Sequence, residues 1–284
     1  MNKKTNNSIT ITSVATGKTT LITTKTKKSK EDKTMGEVRF TEAEVRSLSG
    51  KAIFNKYGKL SNDEKVILTS DQKTVYYTWY TDEVNISHAN TKLGRKIWTV
   101  DMPPIITCCK NCPCAKDCYA CKGRQALCNC KGAYLRNLRL YKTHREEFVK
   151  YIQGKIQRSK VLQHFRWFSA GDIVDPEFLE FMVDTAKQFP KIRFLAYTKQ
   201  YAIVNTYLDK HKKLPTNLNI VFSYWDKEWL VPNPYHLPTS YVDFYDKSRN
   251  PKLPEQAVHC PGGCETCKAC WNLKPDESTI FHQH

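Results

Sequence analysis

Eight cysteines fall within residues 108–130, in CCKNCPCAKDCYACKGRQALCNC, and four more within residues 260–270, in CPGGCETCKAC. Thiols at this density either cross-link a chain in an oxidising compartment or hold a thiophilic metal or cluster in a reducing one. A chain of 284 residues, 40% hydrophobic and 12% aromatic, can build a core without staples. It has no run of about eighteen apolar residues, and its basic N-terminus, MNKKTNNSITITSVATGKTT, lacks the apolar stretch of a signal peptide. A cytoplasmic protein with no membrane partner is therefore expected, and in that compartment the cysteines read as ligands.

Spacing narrows the chemistry. Cys114, Cys118 and Cys121 form C-x3-C-x2-C, which can hold three corners of a four-iron, four-sulfide cluster and leave one iron open. Cys108, Cys109 and Cys112 are alternates for that set. Cys118, Cys121, Cys128 and Cys130 would instead make a four-thiolate zinc knuckle. Cys260, Cys264, Cys267 and Cys270 spell C-x3-C-x2-C-x2-C, with Gly262 and Gly263 to turn the backbone, and suit a closed site for a second four-iron cluster or for zinc. Trp271 follows as a cover or a core aromatic, and His259 is a further ligand candidate. The Gly17-Lys18-Thr19 triplet is not a phosphate loop, because Thr12 stands where that loop needs its first glycine.

The formal charge of +17 is unevenly spread. Residues 1–35 carry eight Lys against two acids, in a Thr/Asn/Lys-rich stretch with little to bury. Residues 108–160 carry thirteen Lys/Arg against three acids, a field that would attract a polyanion such as nucleic acid. Tyr134, Tyr141 and Trp167, set among basic residues, are the rings that could stack bases, although tyrosines at helical spacing mostly pack in a core.

Elements of defined type must position these residues. A helix capped at Thr41, with Glu44 as capping-box partner, is expected near the N-terminus, then strands at KTVYYTWYTDEV and RKIWTV, the latter closed by Pro103-Pro104. The spacing of Tyr134, Leu138, Tyr141, Phe148, Ile152 and Ile156 predicts one long amphipathic helix. Strands at HFRWFS, IRFLAYT, NLNIVFSYW and SYVDFY alternate with helices at EFLEFMVDTAKQF, begun by the Asp175-Pro176 cap, and YAIVNTYLDKHKK. This βα rhythm predicts a parallel sheet, whose carboxyl edge would gather the cysteine loop with Ser169, Gly171, Asp172, Thr198, Lys199, Ser223, Asp226 and the Tyr245–Ser248 turn. The organisation expected is a flexible basic arm (1–35), an N-terminal extension (36–94), an α/β core (95–255) with its cysteine-rich loop (108–130), and a four-cysteine segment with tail (256–284). His282 and His284 are expected to fray.

IITCCKNCPCAKDCYACKGR, AYLRNLRLYKTHREEFVKYI, FRWFSAGDI, FLAYTKQ and CPGGCETCKACW together resemble the phage "gene product 88" family, found in phages and mobile elements, over roughly residues 95–273. The layout is similar to the radical S-adenosylmethionine barrels: a strand, a cysteine loop, then βα repeats. That resemblance implies a partial (βα) barrel-like parallel sheet and a four-iron cluster at Cys114, Cys118 and Cys121. In the family's register Cys118 would be the last ligand, joined by Cys114 and one of Cys108, Cys109 or Cys112. It also implies S-adenosylmethionine on the open iron, contacts from the Ser169, Gly171 and Asp172 stretch, and an electron donor as partner; Thr198, Lys199, Ser223 and Asp226, at the other strand ends, are the further candidate contacts. Two functions are thus expected: an iron–sulfur, radical-type enzyme whose substrate includes nucleic acid among its candidates, or a zinc-dependent nucleic-acid-binding or replication-associated protein without catalysis.

Overall fold

The computed structural model describes residues 6–12, 19–25, 84–88 and 92–283. The helix expected at Thr41 lies outside the described residues, as does the strand expected from Lys73 except for its last residue, Val84. Within the stretch read as an arm, β1 (Asn6–Thr12) pairs antiparallel with β2 (Thr19–Lys25).

The other strands build one sheet. β3 (Ile97–Val100), β4 (His164–Trp167), β5 (Arg193–Thr198), β6 (Leu218–Ser223) and β7 (Thr239–Asp243) lie side by side in chain order, followed by β9 (Ser278–His282) and then β8 (Val258–His259). Every pairing is parallel. The protein is thus mixed α/β with an open seven-stranded parallel sheet; its edges are β3 and the two-residue β8, and it does not close into a barrel.

The crossovers are α1 (Cys128–Thr143) and α2 (Arg145–Arg158) between β3 and β4, α3 (Pro176–Gln188) between β4 and β5, and α4 (Tyr201–His211) between β5 and β6. Because strand side chains alternate, each strand serves two layers. Phe165, Trp167, Phe194, Ala196, Ile220 and Phe222 pack with Phe148, Ile152, Phe178, Met182 and Val204 from the helices. Leu195 and Val221 face the other way, against Leu93, Trp271 and Leu273. Each large apolar side chain removed from water in this way contributes about 1.5–3 kcal/mol.

Several expectations need correcting. The single long helix is two, broken at His144 (φ −140°). The Thr143 hydroxyl donates to the Arg139 carbonyl at 2.9 Å, a back-bond that bends helices, and Glu146 and Glu147 then supply the negative charge that suits a new N-terminus. The tail does not fray at His282, since Ser278–His282 is an inner strand between β7 and β8. Of the two roles open to Tyr134, Tyr141 and Trp167 the core role holds: all three are buried, Tyr141 and Trp167 completely, and none is available to stack on a base. Among the described residues no helix is long and apolar enough to cross a membrane.

Candidate functional site

The turn that ends β4 is tied to the turn that ends β3. Asp101 is buried, and its Oδ1 accepts from the Thr99 and Ser169 hydroxyls (3.0 and 2.8 Å) and from the backbone N–H groups of Ser169 and Ala170. Burial pushes the Asp101 carboxyl up, against the pull of those donors. Gly171 has φ +81°, and a Cβ there would stand 2.4 Å from the Met102 carbonyl oxygen. Ser169 and Gly171 therefore spend their special chemistry on holding two strand ends together.

Asp172 performs a similar task one strand over. Its carboxylate accepts from the Thr198 hydroxyl (2.6 Å), the Lys199 N–H (2.8 Å) and its neighbour Ile173 N–H (2.8 Å). Burial raises its carboxyl to about 6 despite these bonds. The Asp172 N–H donates to the Thr107 hydroxyl at 3.0 Å, and Gln200 Nε2 to the Thr107 carbonyl at 3.0 Å. Thr107 immediately precedes the first two cysteines, so these contacts dock the cysteine loop onto the carboxyl ends of β4 and β5.

The loop then turns repeatedly. N–H groups of Cys112, Ala115, Asp117 and Cys121 donate to the carbonyls of Cys109, Cys112, Cys114 and Cys118, at 3.0–3.1 Å, and these short turns bring thiols together. The sulfurs of Cys112 and Cys114 are 3.5 Å apart. Cys112 also meets the thiols of Cys108 and Cys109, and the three thiols around it pull its own far down from the ordinary thiol value. A second pair is Cys118 with Cys121, whose hydrogen bond draws Cys118 down to about 7. The Ile105 N–H donates to Cys108 Sγ at 3.2 Å, from a residue held at φ +71°, a region that a β-branched side chain rarely enters.

Lys199 supplies the opposite charge. Its Nζ donates to the Ser223 hydroxyl at 2.9 Å. Burial works against the ammonium, but Cys114, Cys112 and Asp172 outweigh it, and the net effect is a raised pKa. Lys199, Thr198, Asp172 and Ser223 are thus linked to one another, and Asp172 to Thr107 at the start of the thiol loop. Asp226 does not join them: it faces Arg249 at 3.9 Å, which also reaches Asp117 of the loop at 3.8 Å. Cys130 packs with Cys118 around Ala120, Tyr134 and Ala170.

The second cysteine group lies on the sheet face away from the helices. Cys260, Cys264, Cys267 and Cys270 line one cavity, together with Arg166 and Tyr197 from the sheet. Gly262 (φ +85°) and Lys268 (φ +54°) reverse the chain on either side of a single helical turn, α5 (Cys264–Cys267). The Cys264 N–H donates to the Lys92 carbonyl at 2.8 Å, and Asn219 Nδ2 caps the Cys270 carbonyl at 2.9 Å. Trp271 is buried beside them and donates from Nε1 to the Phe165 carbonyl at 3.1 Å. Burial raises Cys264 and Cys270, opposed by Arg166 at the first and by Tyr197 and Thr279 at the second.

Arg166 links the two groups. Its guanidinium lies over the Tyr197 ring at 5.1 Å, and Tyr119, Tyr197 and Cys264 hold its charge against the cost of burial. Tyr119, from the cysteine loop, donates to the Ser169 carbonyl. Sequence reasoning missed Asp101, Thr107, Arg166 and Arg249. Only Arg166 carried a plain signal, as a lone cation inside the apolar run HFRWF.

The eleven cysteines other than Cys128 are free thiols. Among the described residues no three His, Cys, Asp or Glu side chains already surround a point as metal ligands would. The donor chemistry nonetheless fits a thiophilic ion or cluster: thiols converge on short turns in two places, with a cation beside each. No curated protein and no solved structure matches the chain. The sequence profile of the Gene product 88 family matches residues 79–273, well over half the length, and the chain belongs to the Gene product 88 family.

Proposed function

We propose that this chain is an iron–sulfur-binding enzyme of radical S-adenosylmethionine-like layout. The observation that carries the reading is the docking of the cysteine loop, directly after β3, onto the carboxyl ends of β4 and β5, the edge where parallel sheets place their chemistry. Cys114, Cys118 and Cys121, or the register that replaces Cys121 by Cys108, Cys109 or Cys112, would hold an open four-iron cluster, and Cys260, Cys264, Cys267 and Cys270 a closed one. Such a cluster supplies a single electron for reductive cleavage of S-adenosylmethionine. Lys199 and Ser223 are the donors suited to a ligand carboxylate, and the Lys199 ammonium offsets thiolate charge. Asp172, held by three donors, serves as a clamp that fixes Lys199 against the loop.

One observation favours zinc as a second reading. The 3.5 Å between Cys112 and Cys114 is close to the roughly 3.8 Å edge of a zinc–thiolate tetrahedron with about 2.3 Å bonds. Cysteines on a four-iron cluster bind separate irons and stand farther apart. Anaerobic purification from iron-replete cells, with iron, sulfide and zinc counted per chain, decides between them. Iron with matching sulfide, and release of 5′-deoxyadenosine from S-adenosylmethionine with dithionite, is the expected result. Zinc without iron under those conditions would replace the enzyme by the zinc protein.

A further inference from the structure

A cavity of about 310 Å³ opens at the β3 edge of the sheet, and it shares no lining residue with either thiol group. Beside the apolar Val84 and Ile86, its walls are Asn85 and His88 from a strap before the sheet, Trp98 from β3, Arg136 from α1, and Tyr151 and Lys155 from α2. We infer that this cavity binds one nucleotide unit, an aromatic base carrying a phosphate.

Three features support it. The walls hold three rings, His88, Trp98 and Tyr151, with His88 and Trp98 already in contact at 5.9 Å between centroids. Aromatic rings beside cations are the general means of holding an unpaired base and its phosphate. The walls also hold Arg136 and Lys155, and no Asp or Glu is among the lining residues. Lys155 Nζ stands over the Tyr151 ring at 5.2 Å, so a phosphate bound there and a base on the ring would be neighbours. Finally, the volume lies at the small end of ligand pockets, the size of one nucleotide and not of a larger cofactor.

The pocket is built, not incidental. Buried Asn137 accepts from the Asn85 N–H at 2.7 Å and donates to the Asn85 carbonyl at 2.9 Å. Ser87 and Thr99 exchange two backbone hydrogen bonds of 2.7 and 2.8 Å, which fasten the strap to the edge strand. The surrounding field suits a polyanion, since α1 and α2 each carry four Lys/Arg and share only Glu146 and Glu147.

The test uses the full chain and a fluorescein-labelled single strand of thymidines, followed by anisotropy. Lys155→Glu and Tyr151→Leu are each expected to weaken binding about ten-fold or more. Lys187→Glu, the same charge change on α3, is expected to have much less effect. Adenosine monophosphate should displace the strand if the unit is read within a chain of nucleotides. If the mononucleotide binds, sensitive to the same two substitutions, and the strand does not, the source is a free nucleotide. The inference is overturned if neither probe binds, if Tyr151→Leu changes nothing, if Lys187→Glu weakens binding as much as Lys155→Glu, or if a duplex of equal length competes as well as the single strand. Iron and zinc content plays no part in these outcomes, so they stand apart from those of the thiol sites.

Discussion

Gly171 is the residue on which the strand-end geometry turns. At φ +81°, with the Met102 carbonyl 2.4 Å from where a Cβ would lie, any side chain must push β3 and β4 apart. Gly171→Ala is expected to cost about 3 kcal/mol, measured as a lower urea midpoint at unchanged slope; a cost below about 1 kcal/mol would show that the turn yields freely. Lys199 makes a different kind of contribution, charge. If it neutralises a thiolate site, Lys199→Met should lower affinity for cobalt(II) by about 10–100-fold, read from thiolate-to-metal absorption, while Lys199→Arg retains most of it. Equal affinity in all three proteins would remove Lys199 from the site. Lys199, Thr198, Asp172 and Ser223 were legible in the sequence because each follows an apolar strand run. Asp101 and Thr107 were not, because their roles depend on which strands become neighbours.

At the scale of elements, α3 shows a cap whose energetics can be separated by pH. The Asp175 side chain accepts from the Phe178 N–H at 2.9 Å, from the Tyr141 hydroxyl and from the Lys142 ammonium. Burial would raise its carboxyl, but Lys142 and Tyr141 outweigh burial and hold it below the ordinary value. A carboxyl with a depressed folded pKa stabilises fully above its unfolded value, near 3.9, and loses that contribution as pH falls through the folded one. Asp175→Ala should therefore cost about 1–2 kcal/mol at neutral pH, constant down to about pH 5, with the gap from wild type narrowing only below about pH 4. Urea titrations of both proteins across that range check it, and a gap that closes already near neutrality would exclude the carboxylate as its source. The Asp-Pro start of α3 could be read from sequence because the signal is local. The break at His144 could not, since the apolar spacing runs on through it. β9 was missed for the reason that a five-residue strand at a chain end gains its stability almost wholly from its neighbours.

Across the whole molecule, the four-cysteine segment does for one face of the sheet what the helices do for the other. Leu195 and Val221 would meet water without Trp271 and Leu273, and the segment carrying those two has little regular structure of its own: short helical turns, joined to the rest by the Cys260 bond to Ile280, the Cys264 bond to Lys92, the Asn219 cap, the Asn272 contact with Arg193 and the Trp271 bond to Phe165. A metal or cluster bound by Cys260, Cys264, Cys267 and Cys270 would close the segment as a clamp, so that its binding free energy becomes the free energy of covering this face. Removing the metal with a strong chelator under reducing conditions should then expose the Trp271 indole, with a red shift and loss of emission that is absent in Trp271→Phe. Far-UV circular dichroism should barely change, because the helix-covered face keeps its own core of Phe165, Trp167, Phe178 and Phe194. If metal leaves and the emission stays as it was, packing and the Trp271 bond to Phe165 hold the segment unaided, and the four cysteines are not what keeps this face covered.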